Sequence, residues 1–362
     1  MEDRLDMRLR EMSNHGFHDL LRKIAEIDEF KGWWNGCGIS HAPVLKALGK
    51  RVVQISATAS MQIGGRIRPR AETMRRARGM LALADEHETA HVRAYAEVLR
   101  SVLDGHREMQ FGEALIQQLH AQLLKYSHED SAHRGKYKTI PDTHESYLRR
   151  QMEPPALRAT DPDRTRQAMA MATQWTSTRL ASAEFHPLLV IGGFVLELLA
   201  IRPFVRGNGR VSRVLTTLLL LHCGYRFVPY ASLESVIAAR WPDYYFALRH
   251  SQTNANLPRP DITPWLAIFL DVIRAQTRQL RAVLEHQPDV NLLSSNQLRV
   301  LRLLERNGEV TNRFVCGELG MPTDTAKQVL NRLLALNLVS RIGAGRAVRY
   351  RKAAPHEDGG AR

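Results

Sequence analysis

Ile201-Arg202-Pro203-Phe204-Val205-Arg206-Gly207-Asn208-Gly209-Arg210-Val211-Ser212-Arg213 is the stretch from which the fold is read. Proline followed by Gly-Asn-Gly marks a tight turn, because glycine reaches positive φ without steric cost. The residues after it, Val211-Ser212-Arg213-Val214-Leu215-Thr216-Thr217 and four leucines, have the apolar density of a buried helix. Arg202, Arg206, Arg210 and Arg213 therefore crowd the start of one helix. A helix N-terminus carries partial positive charge and prefers anions. Four cations there make sense if a phosphate or carboxylate sits among them, on the N–H groups of the turn.

The same stretch resembles the signature of the Fic (Fido) family, His-Pro-Phe-x-Asp/Glu-Gly-Asn-Gly-Arg-x-x-Arg. Pro203, Phe204, Gly207, Asn208, Gly209, Arg210 and Arg213 match it in type and spacing. The resemblance implies a site for ATP or another nucleotide, since Fic proteins mostly transfer AMP from ATP to a protein hydroxyl. Two positions depart. Arg202 stands at the family's general base and Arg206 at its magnesium-binding carboxylate. A guanidinium stays protonated across the working pH range and cannot take a hydroxyl proton. It also offers no oxygen to magnesium, though it can stand in for part of the metal's charge on a phosphate. No catalytic residue is therefore assigned, and ordinary AMP transfer is not expected.

Other segments carry the resemblance along roughly residues 45 to 280. Ser60-Met61-Gln62-Ile63-Gly64-Gly65 is similar to the family's inhibitory Ser-x-x-Ile-Glu-Gly pattern, with Gly64 at the glutamate, so Arg213 is expected to lack its usual internal partner. Leu119 to Leu124, then Gly135-Lys136-Tyr137-Lys138, resemble the helix and flap before the core. The flap implies a protein target bound by strand addition. Pro154-Pro155, the helix around Trp175, His186-Pro187, Tyr244-Tyr245 and Asp261 to Leu266 continue the match. Trp175, Trp241 and Trp265 read as core.

A chain of 362 residues holds ample material for a core. Its net charge of +14 favours an acidic partner. Cys37, Cys223 and Cys316 are far apart and suit neither a metal site nor a disulfide framework, which points to a reducing cytoplasm. Met1 to Asp6 lacks the order of a signal peptide. The longest apolar stretch, 188 to 201, contains Glu197 and is too short for a bilayer, so no membrane partner is expected. His128, His133 and His144 lack a zinc spacing, and no metal is expected. Arg66 to Arg70 reads as a solvated basic loop.

The expected class is mainly α: an N-terminal helical segment (1–50), a Fic-type core with a small β-hairpin flap (51–280) and a linker (281–290) at Gln287-Pro288-Asp289. A C-terminal domain (291–353) and a flexible tail (354–362) follow. In that domain Ser294-Ser295, Thr311 and Thr323 can cap three short helices. Strands over 339–342 and 347–351 flank Gly343-Ala344-Gly345. This pattern resembles a winged helix-turn-helix. Eleven lysines and arginines face four acids over 291–352. Thr325, Lys327, Gln328, Asn331 and Arg332 on the third helix, with Arg341, Arg346 and Arg349 of the wing, are the candidates for double-stranded DNA. The bland alternative is a module that packs on the core or on a second copy, as a homodimer.

Three readings stay open. One is a nucleotide- or anion-sensing regulator that binds DNA. Another is a nucleotidyl- or phosphotransferase whose base comes from His186, Glu197, His222 or the target. The third is a scaffold with a vestigial pocket, in which Arg210 and Arg213 pair with acids such as Glu197.

Overall fold

The computed structural model describes residues 2–12, 14–36, 42–63, 86–141, 159–253, 261–285, 295–335, 338–343 and 348–353. Gly64, Arg66 to Arg70, His144, Pro154-Pro155, the Gln287-Pro288-Asp289 break, Arg346 and the tail lie outside these. The described chain is mainly helical, with one small antiparallel sheet. It divides into two compact units, Met1–Gly38 with Ala42–Leu280, and Arg281–Arg362.

The first unit runs α1 (Glu2–Arg10), α2 (Asn14–Gly36), α3 (Ala42–Ile63), α4 (Glu86–Gly105), α5 (Glu113–Leu123), α6 (Pro162–Ser182), α7 (Pro187–Ile201) and α8 (Asn208–His222). A 3-10 turn at Val228–Tyr230 leads to α9 (Leu233–Ala239), α10 (Trp241–Thr253) and α11 (Thr263–Glu285). At its centre lie α7 and α8, packed on each other and both buried for most of their length. Helix α7 is apolar on all sides, the pattern of a helix enclosed by others rather than laid on a surface.

Pro187 opens α7 at its first turn, where a missing N–H costs nothing. The His186 ring caps it: Nδ1 accepts from the Leu188 N–H at 3.3 Å, and Nε2 meets Asp28 Oδ2 of α2 at 2.9 Å. Tyr225 donates to the other Asp28 oxygen at 2.8 Å. These bonds occupy His186 in structure. Glu197, the one charge in α7, is buried and pairs with Arg8 of α1 at 3.4 Å, while Arg8 Nη2 donates to Ser251 O at 2.8 Å. The expectation that Glu197 pairs with Arg210 or Arg213 is thus corrected; α1 supplies the counter-charge.

Two glycines let neighbours approach α7. The Trp265 indole of α11 donates to Gly192 O at 2.7 Å, and a Cβ built on Gly192 would stand 2.7 Å from Leu266 Cδ2 and 3.1 Å from Phe269 Cδ1. On Gly193 it would stand 3.2 Å from the Trp175 ring of α6. Trp175 and Trp265 are fully buried, as core residues.

In the second unit, α12 (Ser295–Asn307) is followed by β1 (Glu309–Val310), α13 (Asn312–Leu319), α14 (Thr323–Ala335), β2 (Val339–Ile342) and β3 (Arg349–Lys352). Thr311 caps α13 through Phe314 N at 3.1 Å, and Gly320 ends it in the left-handed region at φ 60°. Helix α14 begins at Thr323 itself. The sheet order is β1-β3-β2, antiparallel throughout, with Val310 opposite Tyr350 and Ile342 opposite Arg349. Val300, Leu304, Val315, Ala326, Leu330 and Leu333 form its core with Val339 and Tyr350. Strand β1, two residues long, is absent from the sequence reading because so short a run has no alternation to detect.

Because Gly192 has no room for a methyl group, Gly192→Ala is expected to destabilise the first unit by about 1–3 kcal/mol, the usual cost of overpacking a full core. A lowered urea midpoint with an unchanged slope checks this.

Candidate functional site

The signature turn is built by three side chains folding onto backbone. Helix α7 ends at Arg202, a non-glycine residue in the left-handed region (φ 50°), whose N–H still bonds to Leu198 O at 3.0 Å. Asn208 does not cap α8. Its amide closes the turn instead, accepting from Phe204 N at 3.0 Å and donating to Phe204 O at 2.7 Å. Gly207 takes the N-cap position at φ 87°. The first helical bond of α8 runs from Val211 N to Gly207 O at 3.0 Å, and among the described residues no side chain caps the N–H groups ahead of it. That leaves the geometry of an anion site, as the glycines suggested.

The residue that organises this turn is His120 of α5, which sequence reasoning quoted but gave no role. Its ring lies stacked on Phe204, centroids 3.7 Å apart and planes within 5°. Nε2 donates to Arg206 O at 2.8 Å while Nδ1 accepts from Gly135 N at 3.0 Å. One nitrogen donating and the other accepting fixes a neutral tautomer. Burial pushes the imidazole down to about 4, with the Arg210 charge acting in the same direction. A Cβ on Gly207 would stand 3.2 Å from His120 Nε2. Glycine is required there twice, for its φ and for the imidazole.

Arg206, Arg210 and Arg213 each bond to side chains or backbone from other parts of the chain. Arg206 Nη1 meets Glu129 Oε2 at 3.1 Å and Asp130 Oδ1 at 3.9 Å. Asp130 is itself buried, taking bonds from Ser127 Oγ at 2.7 Å and His133 Nε2 at 3.0 Å. These two bonds and the Arg206 charge hold it below the usual carboxylate range against its burial. Arg210 Nη1 donates to His91 Nδ1 of α4 at 3.1 Å, which requires a neutral His91. Arg213 Nη2 donates to Ser60 O at 3.1 Å and Ser60 Oγ at 2.7 Å, at the end of α3. Arg210 and Arg213 are buried; Arg202 and Arg206 are half-buried. The crowding of charge is thus partly met from within, by two acids and by neutral acceptors.

The flap residues are engaged as well. Gly135 N bonds to His120, Lys136 N to His133 O at 3.1 Å and Lys138 N to Pro203 O at 2.8 Å. Lys138 is buried and its Nζ donates to Ile201 O at 3.0 Å. Tyr137 donates to Glu113 at 3.0 Å, an acid that with burial raises the phenol far above its normal range. The backbone donors of Gly135, Lys136 and Lys138 therefore bond within the chain. Residues 136–141 contain no strand, and 142–158 lie outside the described residues.

The proposed surrogate bases also have structural duties. His186 and Glu197 are placed above, and His222 Nε2 bonds to His106 O at 2.7 Å. Among the described residues no three His, Cys, Asp or Glu converge as a metal site. In the second unit Lys327, Gln328, Asn331 and Arg332 share the exposed face of α14, and Thr325 is half-buried. Arg349 of β3 pairs with Glu309 of β1 at 3.5 Å.

A neutral buried His120 makes stability depend on pH. The folded ring titrates near 4 and the unfolded one near 6.5, so the unfolded chain binds more protons between these values. The contribution is complete above pH 6.5 and is lost as pH falls toward 4, by roughly 3 kcal/mol at most. Urea midpoints at pH 7 and pH 4.5 are expected to differ less in His120→Gln than in the wild type. Equal pH dependence in the two proteins would contradict this assignment.

Residues 110–220 match the family model described as Fic/DOC family. No curated protein matches the sequence. Among solved structures, a Fic family protein from Desulfovibrio desulfuricans G20 superposes with a TM-score of 0.63 at 21% identity, over 94% of this chain and 97% of that one. A Fic domain containing signaling protein from Bacteroides thetaiotaomicron VPI-5482 gives 0.56 at 16%, over 70% and 95%. Fic-1 (residues 134–508) from C. elegans gives 0.55 at 17%, over 75% and 73%. Residues 110–220 are thus similar to the Fic/DOC family in sequence, and over most of its length the chain is similar in fold to Fic proteins.

Proposed function

We propose that this protein binds a nucleotide or other polyphosphate at the N-terminus of α8 and lacks AMP transfer by the usual Fic route. The observation that carries the reading is the turn itself: a helix start behind left-handed Gly207 with no side-chain cap among the described residues, with Arg210 Nη2 near Gly207, Arg213 Nη1 near Gly209, and Arg202 and Arg206 in the same turn. The residues fit an anion. Arg210 and Arg213 bond to neutral acceptors, His91 and Ser60, and a phosphate would add charge-to-charge attraction and bidentate geometry that these acceptors do not offer. Arg206 can replace part of a metal's charge on the phosphates, so magnesium has no assigned ligand here. Arg202 cannot accept a proton, and the described histidines nearby are committed to other bonds. A transferase with an altered base is the second reading, favoured only by the intact Gly-Asn-Gly turn.

Titration calorimetry with ATP, GTP and inorganic triphosphate tests this. Heat is expected for at least one, and Arg210→Ala with Arg213→Ala should abolish it. Silence from all three at millimolar concentration removes the reading. Labelled ATP with magnesium and cell lysate should leave proteins unlabelled, and labelling that vanished in Arg202→Ala would favour the transferase.

We further propose that the second unit is a winged helix-turn-helix that binds double-stranded DNA. Its helix–strand–helix–helix–strand–strand order supports this, as does the exposed set Lys327, Gln328, Asn331 and Arg332 on one face of α14. Paired Arg349 is a weaker candidate than the sequence alone suggested, since contact with phosphate would cost its bond to Glu309. Cations on phosphates release counterions, so affinity should fall steeply with salt. In anisotropy titrations of the full chain, Lys327→Ala with Arg332→Ala should weaken binding to all duplexes and flatten the salt dependence by roughly two ions. Asn331→Ala should narrow the difference between sites, since amides read adenine edges. Binding that ignores salt would leave the unit as a packing or dimerisation module.

A further inference from the structure

Arg213 is the most deeply placed charge of the signature, buried with Nε lacking a bonded partner. Among the described residues its bonding partners are neutral acceptors, both from Ser60. A lone guanidinium in a protein interior is costly unless charge answers it. The carboxylate that answers it stands further along a chain of hydroxyls. Ser60 Oγ, which accepts from Arg213 Nη2 at 2.7 Å, lies close enough to the phenol of Tyr95 on α4 to act on it. Tyr95 is fully buried and donates to Glu234 Oε1 on α9 at 2.6 Å. Glu234 is buried too, and its second oxygen faces Ser232 Oγ at 3.4 Å, itself bonded to Ser56 Oγ at 2.8 Å. Burial and the Glu234 charge lift the phenol well above its ordinary value, while Arg213 works in the opposite direction. Tyr95 therefore sits in the field of both ends.

We infer that Glu234 is the internal counter-charge of Arg213, coupled to it through Ser60 and Tyr95, and that this relay sets how strongly the α8 site attracts an anion. The inference rests on the anion-binding reading of that site. Four elements contribute one member each: α8 the cation, α3 and α4 the hydroxyls, α9 the carboxylate. Because all four members are buried, water screens the pair poorly and the field of Glu234 reaches Arg213 at a distance where surface charges would scarcely interact. Ser60 holds Arg213 through its carbonyl and Oγ, and Tyr95 holds Glu234 through its hydroxyl. Glu234 is a positioning residue; it touches no bound anion.

The test uses Glu234→Gln, which keeps an acceptor for Tyr95 and removes the charge, in the full-length protein. Affinity for inorganic triphosphate is measured in wild type, Glu234→Gln, Arg213→Met and the double variant. Glu234→Gln is expected to bind roughly fivefold more tightly than wild type, as a charge a few bonds away would dictate. In the Arg213→Met background the same change should have no effect. Triphosphate affinity unaltered by Glu234→Gln, with wild-type binding that depends on Arg213, overturns the relay. If wild type binds no triphosphate, the anion reading fails by itself, and urea unfolding of the same four proteins decides the relay. Coupled losses on Arg213→Met and Glu234→Gln sustain it; additive losses refute it. Tyr95→Phe, which removes the hydroxyl between them and keeps both charges, should weaken the coupling in the unfolding cycle.

Discussion

The candidate site depends on one neutral imidazole. His120 fills the space under the Gly-Asn-Gly turn, stacked on Phe204 and bonded to Arg206 O, and the same ring receives Gly135 N from the flap. A proton on Nδ1 would remove the acceptor that holds Gly135 and add a charge beside Arg210. A larger residue at Gly207 would strike Nε2. The left-handed turn, the start of α8 and the root of the flap are thus fixed by a side chain 81 to 93 positions before the signature. Lys138 repeats the arrangement on the other side, pinning Pro203 through its N–H and Ile201 through its ammonium. The loop between α7 and α8 is held by α5 and the flap, and its rigidity is what keeps an uncapped helix start aimed at one place.

That dependence explains which parts could be read from sequence. The mainly helical class was legible, as was the turn between two apolar helices, because glycine, proline and asparagine act locally and leave a local mark. Thr311 and Gly320 were legible as the start and stop of α13 for the same reason. His120 and His91 were not. A histidine within a mixed polar and apolar helix reads as an ordinary packing residue, and the partners, Arg206 and Arg210, are 86 and 119 positions away. The pairing of Glu197 with Arg8 was hidden by the same distance, 189 positions. The partners of three N–H groups at Gly135, Lys136 and Lys138 were hidden as well, because only the fold brings them near.

The charges of the signature also look different once placed. Lined up in sequence, four arginines at a helix start appear to demand an external anion. In the structure the load is divided. Arg206 has carboxylates, Arg210 a neutral imidazole, and Arg213 two acceptors from Ser60. Only the first of these is a charge-to-charge contact, and it lies at the half-exposed edge, where a pair contributes about 1 kcal/mol or less. The two buried guanidiniums keep neutral partners. A phosphate arriving at α8 would therefore exchange weak acceptors for a strong one, while Glu129 would have to yield Arg206.

Chemistry and electrostatics then point the same way in the proposed reading. A site for turnover needs a group that gives and takes a proton; Arg202 cannot, and the strain of its left-handed backbone, typically about 1–2 kcal/mol for a residue with a Cβ, has no such return. A site for sensing needs an anion to gain contacts and a structure that changes when it does. The contacts available to such an anion are those of α8, and the elements that let go of Arg206, Arg210 and Arg213 are the polar segment at Glu129 and Asp130, α4 and α3. Binding would thus be felt at elements far apart in the sequence, as a regulator requires and a vestigial pocket does not. The division of the arginines among separate elements is the feature that favours sensing over a scaffold.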